Sequence, residues 1–203
     1  MYRKGKSTYT KKQHVYLESE YTHSIYYLVE GSIRTYRRHS TKPNNVTCQI
    51  IREGTFFGYF EIFSSNTKRL NSACVISKSA VVEQYLVSDF LIKLQKDKEV
   101  QYDLYCAMAQ YESELWNRII VFREYESYRK IGWMLLKMAT PIDHSGEDLE
   151  IRDFTHLLLS EYTGSSRQTI TSALNYYRNL GVLEYNRRYI LIKKDLLSKL
   201  IDS

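Results

Sequence analysis

Between Lys98 and Glu126 the chain runs for nearly thirty residues without a glycine or a proline. As one α-helix that stretch spans roughly 43 Å at about 1.5 Å per residue, longer than a small domain needs to cover its own core. Its apolar residues repeat in a definite way. Leu104, Met108, Tyr111, Leu115, Phe122 and Tyr125, with Arg118 in the intervening slot, step alternately by four and three, the a/d spacing of a coiled coil. The stripe predicts a dimer interface of Leu104, Met108, Tyr111, Leu115 and Phe122. A second stripe, Tyr105, Trp116, Ile119 and Ile120, then faces the chain's own N-terminal part. The plainer alternative is that both stripes pack within one subunit.

The segments on either side have other periods. Ahead of the helix lie short stretches rich in Val, Ile, Tyr and Thr: His14–Leu17, Ser24–Val29, Ser32–Arg37, Val46–Ile51, Ser72–Ser77 and Val81–Leu86. Glu30-Gly31, Pro43-Asn44-Asn45 and Glu53-Gly54 separate them as turns. Many short strands at about ten-residue spacing predict a sandwich or jelly-roll barrel. Ser88, just before Asp89–Leu94, reads as the N-cap of a covering helix.

Beyond the rod, Ser127–Thr140 reads as a shorter amphipathic helix, stopped by Pro141 and followed by a polar loop over residues 143–148. Thr155 then caps a helix from His156 to Tyr162, and Thr163-Gly164 turns the chain. Ser165, with Gln168 three residues on, reads as a capping box opening a second helix that ends at Gly181. Two helices joined by a short glycine-bearing turn make a helix-turn-helix. Residues 182–185 and 189–192 flank Asn186-Arg187-Arg188 as a hairpin, which turns the motif into a winged one with two arginines at the wing tip. A helical hairpin used for protein contact is the competing reading.

Composition sets the class. The 203 residues are 43% hydrophobic and 26% charged, enough for packed cores and unlike a disordered chain. No stretch approaches the ~18 apolar residues of a membrane span, and the basic first dozen residues lack the apolar core of a secretory signal. The three scattered cysteines suit a reduced, cytoplasmic protein. The net charge of +6 is uneven: residues 1–96 hold 15 Lys/Arg against 7 Asp/Glu, and residues 164–203 hold 7 against 3. The second excess falls on the helix-turn-helix and its wing, which suits a polyanionic partner. The expected organisation is α+β, with a barrel over 1–96, the long helix over 97–126 and the winged helix-turn-helix over 127–203.

In that order the pieces resemble the Crp/Fnr family of bacterial regulators. Ile25-Tyr26-Tyr27-Leu28-Val29-Glu30-Gly31-Ser32-Ile33 and Arg52-Glu53-Gly54-Thr55-Phe56-Phe57-Gly58 are similar to the family's two glycine-bearing barrel stretches. Thr163-Gly164-Ser165-Ser166-Arg167-Gln168-Thr169-Ile170 resembles its opening of the recognition helix. The resemblance implies a cyclic-nucleotide-binding-type β jelly roll, a dimerisation helix and a winged helix-turn-helix. It further implies a homodimer reading an inverted repeat in double-stranded DNA, contact with RNA polymerase where it activates, and no membrane.

By resemblance, Arg167 reaches a guanine, whose O6 and N7 accept a bidentate guanidinium, or a nearby phosphate. Gln168 stands where many members have Glu, and its amide suits adenine instead. Ser172 replaces a second arginine. Ser165 joins this set at the helix opening, Ser166, Thr169 and Thr171 are expected on phosphates, and Arg187 and Arg188 on the backbone beside the wing. For Thr171 the alternative is a plain exposed helix position, and for the two arginines a solvated turn.

The barrel departs from the family. Where cyclic-nucleotide-binding members hold the ribose with a Gly-Glu-Leu run and the phosphate with an Arg-Ser pair, this chain has Gly58-Tyr59-Phe60 and Asn71-Ser72. A phosphodiester buried without a charged partner is expensive. The expected effector pocket of Tyr59, Phe60, Asn71 and Ser72 is therefore one that does not answer to cyclic AMP, unless Lys68 or Arg69 supplies the missing cation. No cofactor is expected: three scattered cysteines cannot supply an iron–sulfur site. A metal-dependent jelly-roll enzyme is the rival class, but the barrel stretch offers His14, His23 and His39 with no His-x-His pair, so no metal or catalytic residue is assigned.

Overall fold

The computed structural model describes residues 4–41, 44–64, 66–152, 154–186 and 188–202. It divides into two compact units, Met1–Leu115 and Trp116–Ser203, whose boundary falls inside the long helix.

The first unit is a barrel of two four-stranded antiparallel sheets. The strands are β1 (Lys4–Thr10), β2 (His14–Tyr16), β3 (Ser24–Glu30), β4 (Ser32–Arg38), β5 (Asn45–Arg52), β6 (Thr55–Phe57), β7 (Ser72–Val75) and β8 (Ser79–Leu86). One sheet has the order β1-β8-β3-β6 and the other β2-β7-β4-β5. All six strands expected from the sequence lie at their places with ends shifted by a few residues. β1 and β6 were not expected: β1 reads Lys-Gly-Lys-Ser-Thr-Tyr-Thr, with no apolar run, and holds its place by pairing along β8, Lys6 opposite Glu83. Alternation sets the core, as where Ile33 and Thr35 of β4 are buried between less buried neighbours.

A short helix α1 (Phe60–Phe63) links β6 to β7, and α2 (Val87–Lys96) leads into α3 (Lys98–Glu124). Ser88 is not the cap of α2. The helix already starts at Val87, and its N-cap Leu86 makes no side-chain bond. α3 is capped by Asp97, whose Oδ1 accepts from the backbone N–H groups of Glu99 at 3.1 Å and Val100 at 3.2 Å.

The faces of α3 are not those expected. Leu104 is 1% exposed and packs with Ile25, Phe56, Tyr59, Tyr85 and Phe90 under the barrel sheet, so it has no surface left for a dimer seam. Burying such a side chain contributes about 1.5–3 kcal/mol, which decides the register of the helix. Val100 and Ala107 share its face, while Tyr111 is half-buried. The stripe expected to face inward, Tyr105, Trp116, Ile119 and Ile120, is instead exposed, together with Met108, Leu115 and Phe122. Tyr105, Met108, Leu115, Ile119 and Phe122 again follow three-four spacing, with Glu112 in the vacant slot. The apolar outer face is thus the expected one rotated by about one residue.

The second unit contains α4 (Ser127–Met138), β9 (Thr140–Pro141), β10 (Asp148–Arg152), α5 (His156–Thr163), α6 (Arg167–Asn179), β11 (Leu183–Tyr185), β12 (Tyr189–Lys193) and α7 (Lys194–Asp202). Its sheet has the order β11-β12-β10-β9. β9, β10 and α7 were not expected: the helix read as Ser127–Thr140 ends at Met138, and Thr140 and Pro141 pair with Glu150 and Leu149 of β10. Leu149 and Ile151 of β10 and Leu197 and Ile201 of α7 are buried in one core with Ile131, Leu135, Ile170, Leu174 and Tyr177. α4 passes so close to α6 that a Cβ on Gly132 would lie 2.6 Å from the Tyr177 hydroxyl.

Candidate nucleic-acid interface and barrel pocket

The helix-turn-helix is held by its own short polar side chains. Thr155 caps α5, its hydroxyl accepting from the Leu158 N–H at 3.0 Å. At the other end Gly164 turns the chain at φ +68°, a left-handed conformation that favours glycine. The Thr163 hydroxyl donates to the Leu159 carbonyl at 2.8 Å, and the Ser160 hydroxyl to the Ser165 carbonyl at 2.6 Å. The first is a back-bond to the carbonyl four residues earlier in the helix, and the second satisfies a carbonyl in the turn.

The cap of α6 is Ser166, not Ser165. The Ser166 hydroxyl accepts from the Thr169 N–H at 3.0 Å and lies 2.8 Å from the Thr169 hydroxyl. Thr169 thereby occupies the third helical position that the expected capping box gave to Gln168. Ser165 sits in the turn, and Gln168 is left exposed. α6 buries Ile170, Ala173, Leu174 and Tyr177 and turns Arg167, Gln168 and Ser172 outward. Thr171 is half-buried, and its hydroxyl is used inside the motif: it donates to the Arg167 carbonyl at 3.0 Å and lies 3.1 Å from His156 Nδ1. That leaves it poorly placed for the phosphate contact expected of it.

In the wing, Leu183, Glu184 and Tyr185 pair with Ile192, Leu191 and Ile190. Asn186 Oδ1 accepts from the N–H groups of Arg188 at 2.7 Å and Tyr189 at 3.2 Å, an Asx-type turn. Arg188 is exposed beside it, while Arg187 lies outside the described residues. Sequence reasoning passed over Asn175 and His156. Asn175 stands seven residues after Gln168, hence on the same helical face, a signal that was available. Its Oδ1 accepts from the Tyr185 hydroxyl at 2.9 Å, tying α6 to the wing.

In the barrel, a cavity of about 190 Å³ is lined by Tyr59, Phe60 and Asn71, with Tyr16, Gln49 and Tyr111. Ser72 does not line it: that side chain is buried, its hydroxyl accepting from the Glu18 N–H at 2.9 Å. Asn71 Oδ1 accepts from the Tyr16 hydroxyl at 3.2 Å, and the Tyr59 hydroxyl donates to the Ala107 carbonyl at 3.4 Å. Burial, with the nearby Tyr111, pushes the Tyr59 phenol up to about 12. Burial raises Tyr16 further still, against the opposing pull of Arg69.

The two candidate phosphate partners are otherwise engaged. Arg69 is 3% exposed, with its guanidinium donating to the Gly58 carbonyl at 2.6 Å, to the Ser24 carbonyl and to Glu61 Oε2 at 3.2 Å. It also stacks over the Tyr16 ring at 4.3 Å. Glu61, missed from the sequence, completes the knot by accepting from the Leu70 N–H at 3.0 Å. The acid stands two residues beyond Tyr59, where a family carboxylate was sought. Lys68 is exposed and lies over the Tyr21 ring at 5.3 Å. Among the described residues no group of three or more His, Cys, Asp or Glu is placed to hold a metal ion, and no helix is long and apolar enough to cross a membrane.

Among curated proteins no sequence relative is found. The family description "Cyclic nucleotide-binding domain" matches residues 6–85. Solved structures match nearly the whole chain. FixK2 from Bradyrhizobium japonicum is similar at a TM-score of 0.81 and 18% identity, over 98% of this chain and 97% of that one. A transcriptional regulator of the CRP/FNR family from Thermus thermophilus matches at 0.76 and 20% identity, over 98% and 99%. The c-di-GMP-responsive global regulator CLP from Xanthomonas campestris matches at 0.77 and 12% identity, over 93% of each chain. The chain therefore carries a cyclic nucleotide-binding-type domain at residues 6–85, within the overall fold of the Crp/Fnr regulators.

Proposed function

We propose that this protein is a homodimeric, sequence-specific DNA-binding regulator of transcription that cyclic AMP does not control. The observation that carries the reading is α6. Its buried side anchors it to the core, while Arg167, Gln168 and Ser172 stand on its exposed side with Arg188 exposed in the adjoining wing. A helix so presented fits the major groove, where Arg167 pairs with guanine and Gln168 with adenine. Ser165, Ser166, Thr169, Arg187 and Arg188 supply backbone contacts. The likeness to solved regulators supports this reading.

The homodimer forms through the outer face of α3, Tyr105, Met108, Leu115, Ile119 and Phe122, whose exposed apolar side chains need a partner. A second copy provides the same stripe and a two-fold axis, so the operator is an inverted repeat with half-sites about 34–36 Å apart. Control of transcription then passes through contact with RNA polymerase. The match to a cyclic nucleotide-binding domain favours a second reading, control by a cyclic nucleotide. Releasing Arg69 to a phosphate, however, strands the Glu61 carboxylate in the barrel.

The test is selection of bound duplexes from a random pool, followed by gel shifts at several salt concentrations. Recovery of a palindromic motif bound far above random duplex supports the reading. Binding of equal strength to every duplex, or none, overturns it.

A further inference from the structure

Arg118 and Phe122 stand one turn apart on α3, and both reach the helix-turn-helix. The Arg118 guanidinium lies 4.9 Å over the Tyr162 ring, with Nη2 3.5 Å from the Tyr162 carbonyl oxygen in the last turn of α5. α5 has no basic residue of its own in that turn. The cation that a helix C-terminus attracts is therefore supplied from α3. Four residues on, Phe122 Cε1 lies 3.6 Å from where a Cβ on Gly164 would stand, against the turn between α5 and α6. Tyr162 is 2% exposed, so the ring that receives the guanidinium is fixed in the core. Between Arg118 and Phe122, Ile119 points outward on the face assigned above to the second copy.

We propose that Arg118 is a positioning residue: it transmits the setting of the dimer helix to the start of α6 and so fixes the distance between the two recognition helices. The inference rests on the DNA-binding reading above. A groove-reading dimer must hold two half-sites in register, and a hydrogen bond plus a stacked cation at the end of α5 resists rotation of the motif against α3. The planar guanidinium matters as well as its charge, because a lysine ammonium cannot both stack and donate in that plane.

The experiment uses the full chain and the palindrome recovered by selection, with two further duplexes in which one base pair is added or removed between the half-sites. The parent is expected to bind the selected spacing at least about tenfold more tightly than either altered one. Arg118→Ala and Arg118→Met are expected to bind all three within about threefold of one another, while sedimenting as dimers. Arg118→Lys is expected to recover part of the discrimination. Arg118→Met keeps the aliphatic stem, so it serves if Arg118→Ala unfolds. If the variants keep the parent's spacing preference and lose only melting temperature or overall affinity, Arg118 is merely structural and the inference falls. If the parent binds no duplex selectively, the DNA-binding reading falls first and takes this one with it.

Discussion

The Arg69 guanidinium and the Glu61 carboxylate lie 3.2 Å apart with side chains 2% and 1% exposed, a cation and an anion enclosed together where Glu61 lines the barrel cavity. Removing one partner leaves the other charge buried and uncompensated. Glu61→Gln and Arg69→Met are each expected to cost about 3–5 kcal/mol in urea unfolding. The joint change Glu61→Leu with Arg69→Met is expected to recover most of that loss, since replacing a buried pair by apolar groups is often nearly neutral. Two single changes that each cost under about 1 kcal/mol would mean that the pair is solvated in practice.

The same ion pair bears on ligand control. Calorimetry with millimolar cyclic AMP or cyclic GMP is expected to show no binding in the micromolar range. Operator affinity measured alongside is expected to stay constant. Micromolar binding that also shifts DNA affinity would overturn the proposal and make the exposed Lys68 the first side chain to test.

Contacts to bases and to phosphates separate by their salt response. Arg167→Ala is expected to cost about 1–3 kcal/mol at the selected operator and to relax preference at one base pair. Arg188→Ala is expected to weaken all duplexes alike and to reduce the slope of log affinity against log salt by about one. Unchanged operator affinity in Arg167→Ala would show that α6 is not the reader.

Two substitutions on α3 distinguish its faces. Ile119→Lys puts a charge on the outer stripe and is expected to give monomers in sedimentation at concentrations where the parent is dimeric. Leu104→Ala is expected to cost about 2–5 kcal/mol of stability by opening a cavity beneath the barrel. It should leave the dimer intact wherever the chain is folded. The opposite pattern would restore the stripe first read from the sequence.

Alkaline stability follows from two phenols. Burial pushes Tyr59, and likewise Tyr177, up to about 12 from an ordinary 10.0. A folded-state value above the unfolded one means that the folded chain holds the proton more tightly. The contribution is therefore complete below about pH 10 and is lost as pH climbs from 10 to 12. Tyr177→Phe also forfeits a 2.8 Å hydrogen bond to the Tyr128 carbonyl. It is expected to be less stable at neutral pH but to lose less between pH 10 and 12, as urea titrations at fixed pH can measure.

Much of this was legible in the residues because local chemistry settles it. Thr155, Gly164 and Gly181 mark helix ends by what their own atoms do, and the six apolar strands announce themselves by composition. The errors arose where distant partners decide. β1 is a strand because Glu83 and Val81 lie opposite Lys6 and Thr8, not because of its own residues. The α3 stripe slipped because a repeat of four and three fits neighbouring faces almost equally well, and the barrel sheet, not the helix, selects the one that buries Leu104. Ser165 and Ser166 are chemically alike, so only the backbone path tells the cap from the turn. Glu61 stayed hidden because a carboxylate beside a phenylalanine gives no sign that an arginine eight residues later will enclose it.

In α6 the side chains that hold the fold and those proposed to read base pairs fall on different positions. Ser166 and Thr169 build the cap, and Thr171 bridges to the Arg167 carbonyl and His156, so each carries a structural bond. Gln168 and Ser172 are exposed and carry no such bond among the described residues. If α6 reads DNA as proposed, a lineage drifting toward a new operator can therefore change these two side chains without first acquiring stability to spare. The same freedom makes them the place to begin retargeting the protein by design.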